Sequence, residues 1–292
     1  MAAPAQKTDT SKWYSPDPPD IKPDAKEVLE KYSKVPPEDI EAHVSRIVGS
    51  IPTLLLTALN SPPAQRDKAW AIFPYPCIGQ WRFLDLAISQ HSHYQEVLNR
   101  MRTGEQVYLD LGCAFAQDIR RLVADGVDSS QCYGADLRLD FIDLGYDLFR
   151  DKDSLNSKFI EADIFDPDSP LKQLDGEIDI IGASSFFHLF SWEEQKSAAH
   201  QVLKLMKPRG GSLLVGRQVG AREPAEKARG VQIGAGSRFR HNLESWQKFW
   251  KEVGDEAGVQ LQVDGTDKDI PDAYKNILTF GDLVLEFAVR RL

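Results

Sequence analysis

The chain has 292 residues, with 35 lysines and arginines against 44 aspartates and glutamates, for a formal charge of −9. Hydrophobic residues at 42% and charged residues at 27% describe a folded globular protein rather than a disordered one. The acidic balance lacks the broad basic field that nucleic-acid binding draws on, and no apolar run has spanning length.

Residues 1–24 are polar and proline-rich and read as an arm, in which Trp13 and Tyr14 are suited to pack down. No apolar signal core opens the sequence. Cys77, Cys113 and Cys132 have neither disulfide-framework density nor zinc spacing. Both observations favour a reducing, cytoplasmic location. Helical spacing follows in 24–34 and 38–60, punctuated by Pro36, Pro37 and Pro52. PYPCIGQWRFLD (74–85) reads as a rigid aromatic turn, and 83–102 as mostly helical with a break near Ser92. Residues 1–103 are therefore expected to form an arm and a helical cap.

After Gly104 the pattern changes. Apolar runs at 107–112, 132–137, 158–164, 178–184, 212–218, 259–263 and 284–290 predict strands. Segments 117–124, 141–150, 192–206 and 244–253 predict helices, the third opened by a capping box of Ser191 and Glu194. A long loop is expected before the helix at 244. The alternation predicts an α/β, Rossmann-like, doubly wound sheet of seven strands over 104–292, with the last strand inserted antiparallel.

In such a sheet, ligands sit beyond the carboxyl ends of the strands. Strand one is followed by DLGCAFAQD (110–118), whose small residues let the backbone turn sharply. The spacing does not suit the dinucleotide fingerprint, and no Walker phosphate loop occurs. Asp110, Asp136 and Asp163 end three consecutive predicted strands, a pattern that helix capping alone would rarely produce. ASSFFHLF (183–190) closes strand four. There His188 is either a general base or a side chain that shapes the pocket through a hydrogen bond to a neighbouring loop. Arg217 at the end of strand five and Arg240 in the cluster 238–242 each offer a bidentate fork for a carboxylate, with an ordinary ion pair as the alternative.

Taken together, YPCIGQWRFLDLAIS (75–89), YLDLGCAFAQDIRRLVADG (108–126), YGADLRLDFIDLGYDLFRD (133–151), ADIFD (162–166), ASSFFHLFSWEEQ (183–195), KPRGGSLLVGRQVG (207–220) and FRHNLESW (239–246) resemble one family. It is the fungal class I methyltransferases of meroterpenoid and polyketide gene clusters, and the resemblance runs from about Trp13 to the last strand. It implies S-adenosyl-L-methionine (SAM) as cofactor and no metal. SAM would contact Asp110, Gly112 and Cys113, with Asp136 and Leu137 at the ribose and Asp163 and Ile164 at the adenine. The Ser184 and Ser185 backbone would lie beside the sulfonium. Ala116 departs from the family's usual glycine and would strain a positive-φ turn.

The acceptor that the resemblance implies is the carboxylate of a large apolar meroterpenoid or aromatic intermediate, positioned by His188, Arg217 or Arg240. A polyketide phenol is the alternative, and it would need His188 as base. A non-catalytic SAM-binding partner protein is a third reading. Partners are then a small hydrophobic molecule and neither nucleic acid nor membrane, and a homodimer is compatible with the sequence.

Overall fold

The computed structural model describes residues 20–48, 76–228, 236–270 and 281–292. Residues 1–19 of the expected arm, residues 49–60 of the 38–60 reading, and Pro74 and Tyr75 of the aromatic turn lie outside those residues. Nine strands are described: β1 (Tyr108–Leu111), β2 (Cys132–Asp136), β3 (Lys158–Glu161), β4 (Ile180–Gly182), β5 (Leu213–Gly220), β6 (Ala225–Ala228), β7 (Ser237–Arg240), β8 (Leu261–Asp269) and β9 (Leu283–Arg291). Seven of them form one sheet in the order β3-β2-β1-β4-β5-β9-β8. β1 to β5 run parallel to one another, while β9 runs antiparallel to both β5 and β8. The antiparallel insertion expected of the last strand is thus present.

The helices are α1 (Pro23–Glu27), continued by a π turn over Val28–Tyr32, then α2 (Ile40–Val48), α3 (Pro76–Gly79), α4 (Tyr94–Met101), α5 (Gln117–Ala124), α6 (Asp140–Phe149), α7 (Trp192–Leu205) and α8 (Leu243–Ala257). Local chemistry sets several ends. Ser191 accepts the Glu194 amide at 3.3 Å while Glu194 accepts the Ser191 amide at 2.8 Å, the capping box read from sequence. Asn242 and Ser245 close a second box on α8, which then ends at Gly258 with φ +65°.

Side-chain alternation along β1 sends Leu109 and Leu111 into one core layer and Tyr108 into the other. The first layer holds α7 and α8, whose Trp246, Phe249 and Trp250 are buried against Leu214, Leu285 and Phe287. In the second layer α4 and α5 pack through Val97, Leu98, Met101, Ile119 and Leu122. Residues of the N-terminal extension form a third cluster: Val28, Leu29, Ile40, Val44, Trp81 and Phe83 bury against Phe115, Phe141 and Leu148. Phe83 stacks on Phe115 at 4.6 Å between centroids. The aromatic turn therefore fills core beside the first strand-to-helix loop.

Three expectations need correction. Residues 83–102 are not one broken helix: short 3-10 turns at Arg82–Leu84 and Ile88–Gln90 precede α4. The Asp85 and His91 side chains and the Ile88 amide bond to other elements, which competes with helical pairing. The long loop before α8 contains a hairpin, with Ala225 paired to Arg240 and Ala228 to Ser237. Strand β8 also runs to Asp269, well beyond the expected 259–263, because its outer half carries Asp and Lys while still pairing with β9.

Candidate active site

The loop after β1 makes three left-handed residues in succession of two: Gly112 at φ +69°, Ala114 at +46° and Ala116 at +50°. A Cβ on Gly112 would lie 3.1 Å from the Phe186 ring, so both its backbone angle and its space favour glycine. The two alanines carry a left-handed penalty of about 1–2 kcal/mol each. The loop is held despite it. Gly112 and Cys113 donate their amides to the Ala135 carbonyl at 2.8 and 3.1 Å, and Ala114 donates to Asp136 Oδ2 at 2.9 Å. From the other side Arg120 Nη1 donates to the Phe115 carbonyl at 2.5 Å. Arg120 is fully buried and forks onto Asp151 at 2.7 and 2.9 Å, where Tyr32 of the extension also donates at 2.7 Å.

Asp110 shares the face of Tyr108 and is buried among acids. Burial, then Asp118 and Asp136, push its pKa well above the usual carboxylate value. Asp118, in the first turn of α5, is raised to about 6, chiefly by burial, and accepts the Ile88 amide at 3.2 Å. At the carboxyl end of β2, half-buried Asp136 accepts the Ala114 amide on one oxygen and the Arg138 amide, at 3.1 Å, on the other. Each oxygen keeps a lone pair for a further donor. Leu137 next to it is 54% exposed, one of two large hydrophobic side chains so placed among the described residues. Asp163 lies two residues beyond β3, exposed, with Oδ1 on the Phe165 amide at 2.9 Å. Ile164 instead points into the main core, so Leu137 is the apolar side chain left open on this rim. Cys113 is buried with its thiol pKa raised by burial, and it packs under Gly134.

Beyond β4, Ser184 and Ser185 are half-buried, and Ser185 has φ +58°. The Ser185 amide is already committed, donating to the Arg217 carbonyl at 2.7 Å. This turn presents Phe186 to Leu189. His188 Nδ1 accepts the Val219 amide at 3.4 Å, and its carbonyl accepts from Arg240 Nη1. Burial and then Arg240, Arg238 and Arg82 hold the imidazole pKa well below 6.5. Arg240 is itself buried, and burial and Arg238 push its pKa down to about 9, which leaves it cationic at neutral pH.

Arg217 does not join this group. Its guanidinium turns to the extension, with Nη2 2.6 Å from Asp85 Oδ2 and Nη1 3.3 Å from Gln90 Oε1. The ion-paired alternative is the arrangement present.

Two family models match the chain. One is a meroterpenoid methyltransferase N-terminal domain, over residues 13–84, and the other a methyltransferase domain, over residues 109–210. The chain is 41% identical to the Asnovolin E/Chermesin D methyltransferase nvfJ of Aspergillus novofumigatus, over 91% of this chain and 88% of that protein. It is 38% identical to methyltransferase adrK of Penicillium roqueforti, over 97% and 94% of the two chains. To O-methyltransferase atr3 of Stereocaulon alpinum it is 40% identical, over 86% of this chain and 68% of that one. The chain belongs to the fungal meroterpenoid methyltransferases. It is a SAM-dependent O-methyltransferase.

The loop and acid geometry of this meroterpenoid methyltransferase fits that cofactor. SAM supplies an activated methyl group on a positively charged sulfur. A loop ringed by Asp110, Asp118 and Asp136 offers carboxyl oxygens to a cationic ligand, and a cation there would offset the burial that pushes their pKa values up. Asp136 has acceptor capacity for hydroxyls, and exposed Leu137 offers an apolar face to a ring. Arg238 stood in the basic cluster 238–242, whereas Asp118, Asp85, Gln90 and Arg82 were not singled out in the sequence. Asp118 was legible there as an acid in the first turn of the helix after the loop. Asp85 and Gln90 carry no local signal of Arg217, which meets them from 132 and 127 residues away, while Arg82 stands only three residues before Asp85. No described helix is long and apolar enough to cross a membrane.

Proposed function

We propose that this enzyme methylates the carboxylate of a bulky apolar meroterpenoid or aromatic polyketide intermediate. The observation that carries this reading is the state of His188. With Nδ1 accepting the Val219 amide, the ring proton of the neutral imidazole resides on Nε2. Nε2 is then a donor. Among three arginines, the ring is also a poor base. A phenol, with a pKa of about 10, would need a base, whereas a carboxylate with a pKa of about 4 is already ionised at neutral pH. His188 Nε2–H and the Arg240 guanidinium supply donors suited to an anionic oxygen. Catalysis then consists of orientation and water exclusion, with reacting atoms brought to roughly 3 Å in line.

Residues 1–103 act here as the arm and cap, and residues 104–292 as the SAM-binding domain. Support comes from the extension's aromatic core packing beside the cofactor loop. In the same reading Asp110, Gly112, Cys113, Asp136, Leu137 and Asp163 frame the cofactor, and Ser184 and Ser185 its methyl end. Ile164 supports them from the core. The free state of Cys77, Cys113 and Cys132 is consistent with a reducing cytoplasm.

Single-turnover methyl transfer to aromatic carboxylic acids, followed against pH, tests the assignment. The rate should stay flat from about pH 6 to about pH 8, and His188→Gln should raise acceptor KM more than it lowers kcat. Transfer to phenols alone, with a rate rising log-linearly through that range and abolished in His188→Gln, would sink the proposal.

A further inference from the structure

The carboxylate of Asp85 is buried, and three cations converge on it: Arg217 Nη2 at 2.6 Å, Arg82 Nη2 at 3.8 Å and Lys22 Nζ. Gln90 Nε2 adds a hydrogen bond at 3.4 Å. Gln90 and Ser89 also donate to Asp24 at 3.1 and 3.2 Å, and the Ile88 amide to Asp118 at 3.2 Å. The short segment 85–90 is thereby tied to α1, to the first turn of α5 and to β5.

The β5 end of this network continues into the acceptor turn. The Arg217 carbonyl accepts the Ser185 amide at 2.7 Å, and Ser185 adopts φ +58° to start the turn that carries His188. Two residues on, the Val219 amide donates to His188 Nδ1. Segment 217–219 thus grips the extension through a side chain and the acceptor turn through its backbone. The geometry points to Asp85 as a positioning residue that couples the N-terminal extension to the His188 turn by holding Arg217. Without its charge, Lys22, Arg82 and Arg217 repel one another across the joint between extension and sheet. The strand end, still paired with β9, then adjusts its position, and the turn bonded to it follows. The inference rests on the methyltransferase fold and on His188 lying at the acceptor end.

Full-length wild type, Asp85→Asn, Asp85→Glu, Arg217→Gln and the Asp85→Asn/Arg217→Gln double variant provide the test. The readouts are urea unfolding, S-adenosylhomocysteine affinity by calorimetry and the histidine ring resonances by NMR, with His188 assigned through His188→Gln. Asp85→Asn is expected to bind S-adenosylhomocysteine about tenfold more weakly. It should also shift the His188 resonances while those of His200, which pairs with Glu256 on α8, stay in place. Asp85→Glu should restore most of both, and the double variant should be no worse than the poorer single. Unmoved His188 resonances in folded Asp85→Asn, or additive losses in the double variant, overturn the proposal and leave Asp85 an ordinary structural ion pair. If Asp85→Asn does not fold, Arg217→Lys carries the same readouts, since it keeps the charge and loses the fork. No acceptor enters these measurements, so failure of the carboxylate assignment and failure of this coupling are distinguishable.

Discussion

Asp151→Asn strikes the pair that holds the cofactor loop from below. The carboxylate is buried and accepts two bonds from the Arg120 fork, at 2.7 and 2.9 Å, and one from Tyr32 at 2.7 Å. Arg120 has no exposed surface and also lies over the Phe149 ring at 4.8 Å. Removing one charge leaves a guanidinium buried without its counter-ion, a loss of about 3–5 kcal/mol. The amide retains part of the hydrogen bonding, so the lower half of that range is expected. For a chain of this size this corresponds to a fall in Tm of about 10 °C. Urea unfolding with an unchanged slope measures it. Arg120→Met removes the other charge, and the double variant should be more stable than the sum of the two single losses by about 1 kcal/mol or more. Because Arg120 also bonds the Phe115 and Ala116 carbonyls, Asp151→Asn should weaken S-adenosylhomocysteine binding while still folded. A loss below about 1 kcal/mol, or strict additivity, would refute the claim that this pair supports the loop.

The Ala114 and Ala116 turns predict that Ala114→Gly stabilises the half-buried site by about 0.5–1 kcal/mol, read as a higher urea midpoint with cofactor affinity kept or improved. Gly182→Ala should cost about 1–3 kcal/mol, since the new Cβ would sit 2.1 Å from the Tyr108 hydroxyl, and thermal unfolding would show it. Folding raises the Asp118 carboxyl from 3.8 to about 6, so the folded state holds an extra proton between those values. That contribution is full below about pH 4 and lost as pH rises through 6. The stability of wild type relative to Asp118→Asn should therefore fall across that window, and equal slopes would remove Asp118 from the buried acid group. Trp246→Ala, which opens the main core under α8, should cost about 3–5 kcal/mol in the same unfolding assay.

Much of the fold was legible because it is written in local period and local chemistry. The apolar runs of β1, β4 and the first half of β5 are buried on both faces, and a buried parallel strand announces itself by continuous hydrophobicity. The Ser191–Glu194 box needs only residues three apart. The hairpin Ala225–Ala228 with Ser237–Arg240 was not legible, since both strands are short and mostly polar, and the first is exposed and pairs with the second rather than with the main sheet. The edge strand β8 was underestimated for the same reason.

For the site, sequence alone determined which residues stand at the strand ends: Asp110, Asp136 and Asp163, the 112–116 loop, and His188 after β4. Strand ends follow from hydrophobic patterning and turn residues, which are local. Only the tertiary structure decided what each side chain meets. It turned Arg217 away to Asp85, sent Ile164 into the core and left Leu137 open beside Asp136. It also set Asp118 against Asp110, and it surrounded His188 with arginines from two separate segments while fixing its ring nitrogen on Val219. Protonation and partner choice depend on burial and on charges brought together from 30 to more than 130 residues apart, as Ile88–Asp118 and Asp85–Arg217 show. One-dimensional spacing carries no record of those encounters.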